Sequence, residues 1–275
     1  MTKVTRQDLL IELGTEELPP ASLKALGKEF ANNLGSQLSQ ADLIEDLELK
    51  WFATPRRLAV LIPKVAQNGK NRIEERRGPS VNHAFDEDNQ PTKATKGFAK
   101  SCGVSVDKLD RLITNKGEWL VYKREVPGQN ISDAIESYIK FAIQNLPIAK
   151  RMRWGDGSYE FVRPIHWLVV IHGSKVIPCK VFNIFSNRFS WGHKFMVPKK
   201  ISIPSAAQYE NILEKKGKVI ADFEKRSNLI ETQINRLGVK TGGHAIVDDK
   251  LLETVTALVE KPQALMGTFD KAFLK

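Results

Sequence analysis

The chain has 275 residues, 41% of them hydrophobic and 27% charged, which suits one large domain or two small ones and excludes collagen, coiled coil and wholesale disorder. Apolar runs such as Trp167 to Ile171 fall far short of a bilayer span, and the N-terminus turns acidic at Asp8 without a long apolar stretch, so neither a membrane segment nor a signal peptide is expected. The net charge of +10 is concentrated: residues 50–100 carry +6 and residues 146–200 carry +8, while the rest carries −4. Such stretches attract polyanions, nucleic acid first among them.

In chain order, Leu9 to Leu13 reads as a strand. Leu23, Leu26, Phe30, Leu34 and Leu38 recur at helical spacing. Leu47 to Phe52 and Leu58 to Pro63 read as strands joined by a Thr54-Pro55-Arg56-Arg57 turn. Residues 66–91 are polar and turn-rich and are expected to form a long loop or exposed hairpin. A short helix follows Pro91 and stops near Gly103. Leu112 to Asn115 and Glu118 to Glu125 flank Lys116-Gly117 as a hairpin. Ser132 or Asp133 caps a helix whose apolar face includes Ile135, Ile139 and Ile143.

Phe161 to Ile171 is strongly β in character, with Trp167, Val169 and Ile171 on one face, and a turn at His172-Gly173-Ser174 leads into a second hairpin. Ser205-x-x-Gln208 reads as a capping box, and Val219-Ile220-Ala221 as a brief strand. The next helix is expected to bury Phe223, Ile230, Ile234 and Leu237 and to end at Gly238. A last helix opens at Asp248, with Leu251, Leu252, Val255, Leu258 and Val259 inside. The expected fold class is α+β or mixed α/β, a sheet-and-helix body. The expected division is 1–105, an N-terminal subdomain with an exposed basic loop, and 106–275, a second subdomain with a basic strand and loop region. The ending at Leu274-Lys275, directly after a helical start, suggests a piece of a longer chain.

No phosphate-binding loop, dinucleotide fingerprint, nucleophile elbow or metal-ligand spacing is present in the sequence. No catalytic residue and no metal ligand is therefore assigned. Cys102 and Cys179 read as reduced, packed thiols. Instead, Arg, Lys, His and Trp are set among rigid turns. Arg binds phosphate bidentately or stacks on a base, and Trp stacks on an unpaired base. The RNA-contact candidates are Arg56, Arg57, Arg76, Arg77, Lys93, Lys96, Lys150, Arg151, Arg153, Trp154, Arg163, His166, Arg188, His193 and Lys194.

Nine motifs stand in a characteristic order: LLIELGTEELP from Leu9, FATPRRLAVLI from Phe52, RRGPSVNHAFDEDNQPTKATKGFA from Arg76, KGEWLVYK from Lys116, LPIAKRMRW from Leu146, FVRPIHWLVV from Phe161, WGHKF from Trp191, GKVIADFEKR from Gly217 and DDKLLETVTALVEKPQALMGTFD from Asp248. Together they resemble the N-terminal part of the β subunit of the bacterial-type heterotetrameric glycyl-tRNA synthetase. Where that family usually has Thr-Arg-Gly-His-Arg, this chain has Ser190-Trp191-Gly192-His193-Lys194. Lys194 is a point charge rather than a planar fork.

The resemblance implies ATP- and Mg²⁺-dependent glycylation of tRNA by a cytoplasmic α2β2 enzyme. The catalytic core and its ATP would lie on the α subunit. The implied partners are tRNA(Gly), the α subunit and the remainder of the β subunit, with no membrane. The body would be similar to the B3/B4-type module of the phenylalanyl-tRNA synthetase β chain, which edits mischarged tRNA there. A size sieve admits products smaller than the correct one, and no amino acid is smaller than glycine. The expected role is therefore tRNA binding at the backbone and acceptor end. The alternatives are an assembly scaffold and a hydrolytic editing domain.

Overall fold

The computed structural model describes residues 5–46, 48–115, 117–155, 157 and 159–274. It is a mixed α+β structure that divides into two compact units, residues 1–68 with 130–275, and residues 69–129. The boundary expected at residue 105 falls inside the second unit.

The first unit begins with β1 (Arg6–Thr15), α1 (Pro20–Gln40), β2 (Lys50–Thr54) and β3 (Arg57–Ala66). In the second unit are β4 (Arg72–Ser80), α2 (Val81–Ala84), α3 (Lys93–Cys102), β5 (Asp110–Thr114) and β6 (Gly117–Val126). The first unit resumes with α4 (Ile131–Gln144), β7 (Met152–Arg153), β8 (Glu160–Phe161), β9 (Ile165–His172), β10 (Lys175–Val176), β11 (Lys180–Val181), β12 (Ile184–Asn187), β13 (Phe189–Trp191) and β14 (Lys200–Ser202). It closes with α5 (Tyr209–Ile212), α6 (Phe223–Lys240) and α7 (Asp249–Leu258). Among the described residues no helix is long and apolar enough to cross a membrane.

The large sheet runs β11-β12-β9-β1-β3-β2, with β10 also on β9. β1 is central and antiparallel to both β3 and β9, so that Ile11 stands between Val60 and Val170. Alternation then sorts its side chains onto two covered faces. Leu9, Ile11 and Leu13 join α1 and α4 in one core, whereas Leu10 packs with Phe52, Trp167, Val169, Ile171 and Tyr209 in the other. Glu12 points to that second face and is fully buried.

Arg57 meets it there. Its Nη1 lies 3.9 Å from Glu12 Oε2, and its Nη2 lies 3.2 Å from Glu260 Oε1. Arg57 also donates to Thr54 Oγ1 (3.2 Å), Ser190 Oγ (3.0 Å) and the Trp191 carbonyl (2.9 Å). Trp167 Nε1 and Ser190 Oγ donate to Glu12 Oε1, and Thr54 Oγ1 donates to Glu260 Oε1 at 2.8 Å. Burial works against the Arg57 charge, but the Glu260 and Glu12 carboxylates outweigh it and hold the guanidinium above its ordinary range. Arg57 is thus a structural cation and not a surface RNA contact; sequence alone does not distinguish it from its half-buried neighbour Arg56.

Several local expectations are corrected. Residues 66–91 include β4, because β6 offers a full antiparallel edge to residues 72–80. Lys116 of the β5–β6 hairpin and Leu47, expected at the start of β2, lie outside the described residues. Asn130, rather than Ser132 or Asp133, caps α4 by accepting from the Ser132 amide at 2.8 Å. β9 starts only after Pro164, since proline cannot donate to a ladder. The second hairpin forms at His172-Gly173-Ser174 but is short: only Lys175 and Val176 of β10 pair antiparallel with β9, and β12 then returns parallel to β9.

Ser205 bonds the Gln208 side chain in a 3₁₀ turn and caps no backbone amide. Val219 to Ala221 is buried coil, tied by the Ile220 amide to the Glu260 carbonyl. α6 runs past Gly238 to Lys240. α7 buries Thr256 and Ala257, while Leu251 and Leu258 are exposed.

Gly14 lies opposite Trp167, and a Cβ there would sit 1.8 Å from the indole ring. Gly14→Ala is therefore expected to displace Trp167 and destabilise by about 1–3 kcal/mol, read as a shift in urea midpoint. Arg57→Met keeps the apolar stem but leaves two buried carboxylates unpaired. A loss of about 3–5 kcal/mol is expected by urea denaturation, and a loss below about 1 kcal/mol would contradict the cage.

Candidate nucleic-acid interface

Three backbone bonds stitch the segment after β1 to neighbouring turns. The Thr15 amide donates to the Arg56 carbonyl (2.9 Å), Glu16 to Pro164 (3.0 Å) and Leu18 to Pro55 (2.6 Å). Pro55 and Arg56 form the β2–β3 turn, and Pro164 precedes β9. One end of the sheet therefore gathers Arg56, Arg163 and His166 around Glu16 and Glu17.

The polar contacts there are specific. His166 Nε2 lies 2.9 Å from Glu16 Oε1. Arg163 Nε donates to the Glu17 carbonyl at 3.0 Å, and its Nη1 reaches Met152 Sδ of β7. Lys194 Nζ lies 2.6 Å from Glu17 Oε1. The Arg56 guanidinium sits over the Trp167 ring, 5.8 Å from its centroid, with Nε buried and unpartnered. The hydrogen bond from Lys194 holds the Glu17 carboxyl below its ordinary value. Its slight burial opposes this, and the nearby Lys194 and Arg56 charges add to the lowering.

The loop after β13 completes the cluster. The His193 amide donates to the Gly217 carbonyl at 2.8 Å. His193 Nδ1 accepts from the Phe195 and Met196 amides at 3.2 and 3.3 Å. This tight turn leaves Phe195 82% exposed, with the His193 ring 6.2 Å and Lys194 Nζ 6.0 Å from its ring centre. An exposed aromatic beside a lysine can stack an unpaired base while the ammonium meets a phosphate. Phe195 is absent from the candidates read from the sequence, although it stands directly after His193-Lys194 in WGHKF.

The other candidates are dispersed. Arg153 pairs with Glu160 across the β7–β8 ribbon at 2.5 Å, and Arg151 donates to the Gln144 carbonyl. Lys150 is exposed, and Trp154 packs edge-on to Phe182 against the core. Arg188 bonds the Ser174 and Pro204 carbonyls, beyond the opposite end of β9. Arg76, Arg77, Lys93 and Lys96 belong to the second unit. There Arg77 stacks on Trp119 with its guanidinium 3.6 Å from the ring centre, and Arg76 donates to the Ser101 carbonyl. Among the described residues no three His, Cys, Asp or Glu side chains converge as metal ligands.

A lowered carboxyl pKa makes its stabilising contribution above the unfolded value and loses it as pH falls through the folded one. NMR titration should find the Glu17 carboxyl below its ordinary value in the native chain and shifted upward in Lys194→Met. Equal midpoints in the two proteins would remove the Lys194–Glu17 bond from the site.

Comparison with known proteins adds the lineage. The profile of the glycyl-tRNA synthetase beta subunit family matches residues 9–275. A glycine–tRNA ligase beta subunit from Psychromonas ingrahamii is 44% identical over 271 residues, covering 98% of this chain and 39% of that protein. The beta subunit from Vibrio parahaemolyticus is 44% identical over 269 residues, with the same coverage. A Vibrio vulnificus relative is 43% identical over 269 residues, again 98% of this chain and 39% of that protein. The chain spans 39% of the length of these curated relatives, in their N-terminal part. With the match covering nearly every residue and running through both units, the chain belongs to the glycyl-tRNA synthetase beta subunit family.

Proposed function

We propose that this chain is the non-catalytic, tRNA-handling N-terminal region of a glycyl-tRNA synthetase β subunit. It contributes acceptor-end and backbone binding to glycylation of tRNA by a cytoplasmic α2β2 enzyme. ATP and Mg²⁺ are placed on the α subunit in this reading, and no residue of this chain is assigned to hold them. The observation that carries the proposal is the family match over residues 9–275. The sheet end supports a location for the RNA: Phe195 as a stacking surface, with Arg56, Arg163, His166, His193 and Lys194 around it. The body is taken to be a B3/B4-type module like that of the phenylalanyl-tRNA synthetase β chain, used for RNA handling without hydrolysis.

A second role is compatible with the first. Ile246, Leu265 and Phe273 are at least 80% exposed, and Val239, Leu251, Leu258, Met266 and Phe269 are exposed around them in sequence. Such apolar side chains suit a scaffold for the α subunit or the remainder of β.

Binding of tRNA(Gly) to the 275-residue chain, followed by fluorescence anisotropy across salt concentrations, tests the proposal. Neutralising about six phosphates gives a log–log slope of roughly −4 to −5. Phe195→Ala should cost about 1–3 kcal/mol with the slope unchanged. Arg163→Gln with Lys194→Gln should make the slope shallower by about 1–2. A wild-type slope near zero would refute RNA handling by this region.

A further inference from the structure

The second unit carries a cationic surface of a different kind. α3 begins at Thr92, whose Oγ1 accepts from the Thr95 amide. It is pinned by its inner side: Thr95 and Ala99 are buried, and Thr95 Oγ1 donates to the Ala84 carbonyl at 2.7 Å. Phe98 lies against Gly78 so closely that a Cβ there would come within 2.5 Å of the ring. Lys93, Lys96 and Lys100 are all exposed. At about 100° per residue they fall within about 60° of one another, on the side away from Thr95 and Ala99.

This row lacks counter-ions. Several lysines of the first unit are paired: Lys24 with Glu253, Lys50 with Glu210, Lys194 with Glu17 and Lys225 with Glu214. Among the described residues none of Lys93, Lys96 and Lys100 has a carboxylate partner. Lys96 and Lys100 stand at i,i+4, where like charges repel. The row opens into a groove of about 490 Å³ lined by Lys96, Ala99, Lys100, Gly103, Val104 and Ser105, with Lys108 at its rim. Lys108 has Asp107 beside it, so its charge counts for less. Gly103 caps the helix in the left-handed conformation with φ 69°, and nothing lies within 4 Å of the place its Cβ would take.

We infer that the outer face of α3 and its terminal groove form a second RNA site, in which Lys93, Lys96 and Lys100 track the phosphodiester backbone of a nucleic-acid strand. A rigid helix with a same-sign, unpaired row suits sequence-independent phosphate contact, which positions an RNA without reading its bases. The inference rests on the RNA-handling reading above, but on residues in the other compact unit.

The test uses the full 275-residue chain with Lys93→Gln, Lys96→Gln and Lys100→Gln combined, beside the Arg163→Gln, Lys194→Gln variant. Removing three phosphate contacts should make the salt slope of tRNA binding shallower by about 2–3. Affinity at low salt should fall at least tenfold, with the melting temperature unchanged. Lys96→Glu with Lys100→Glu should weaken binding further. Native slope and affinity in the α3 variant, with loss in the sheet-end variant, would overturn this site and leave the proposed function standing. Absence of RNA binding by the unmodified chain would end both. In a parallel NMR arm, lysine ammonium signals of α3 should shift with a short RNA. A response to inorganic phosphate but not to RNA would assign the groove to free phosphate and overturn the inference.

Discussion

One fully buried guanidinium holds the first unit together. Arg57 sits between the carboxylates of Glu12 and Glu260, which are far apart in sequence and come from the central strand and the segment after α7. A charge in a low-dielectric interior is tolerated only when it is paired and its remaining hydrogen-bonding capacity is satisfied. Arg57 meets that requirement with the Thr54 and Ser190 hydroxyls and the Trp191 carbonyl. The cage therefore joins β1, β2, β3, β13 and the stretch at residue 260. Arg226 performs a related task through neutral acceptors: it donates to the carbonyls of Ala53, Ile220 and Thr256. Burial pushes it down to about 10, against support from Glu260 and Asp222.

The sheet end inherits its geometry from that cage. Ser190 and Trp191 are anchored by Arg57, and the next residues form the turn that presents Phe195. Trp167, held by Glu12 through its indole N–H, lies under Arg56. Glu16 and Glu17 offset much of the positive charge gathered there. Attraction of RNA to this end would then depend on stacking and directed hydrogen bonds more than on a long-range field. The α3 face has the opposite character, with charge in excess and no aromatic on the lysine row. In the proposed reading the two units would make different contacts with RNA, one local and geometric, the other electrostatic and salt-sensitive.

Much of the architecture is legible in the sequence because it rests on periodicity. Leu23 to Leu38 at helical spacing gives α1, and the apolar run at Leu9 to Leu13 gives a strand covered on both sides. Gly103 closes α3 as its left-handed conformation requires. Other expectations fail where tertiary partners decide. β4 has a polar, charged sequence and becomes a strand because β6 pairs with it. Val219 to Ala221 has strand composition but joins no ladder, and the Glu260 carbonyl takes the Ile220 amide instead. α7 is apolar on more than one side, so composition could not select its buried face.

The amino-acid sequence by itself determined the fold class, most helices and strands, the two basic stretches and the family, since each depends on local pattern or on ordered motifs. It did not determine which cations are free. Arg56 and Arg57 are neighbours of the same type on the same turn, yet one side chain flanks the sheet end and the other is sealed in the core. That difference follows from strand alternation meeting Glu12 and Glu260, residues distant in sequence. Only the tertiary structure brings a buried charge to its partners, and only there does a lysine row prove to lack them.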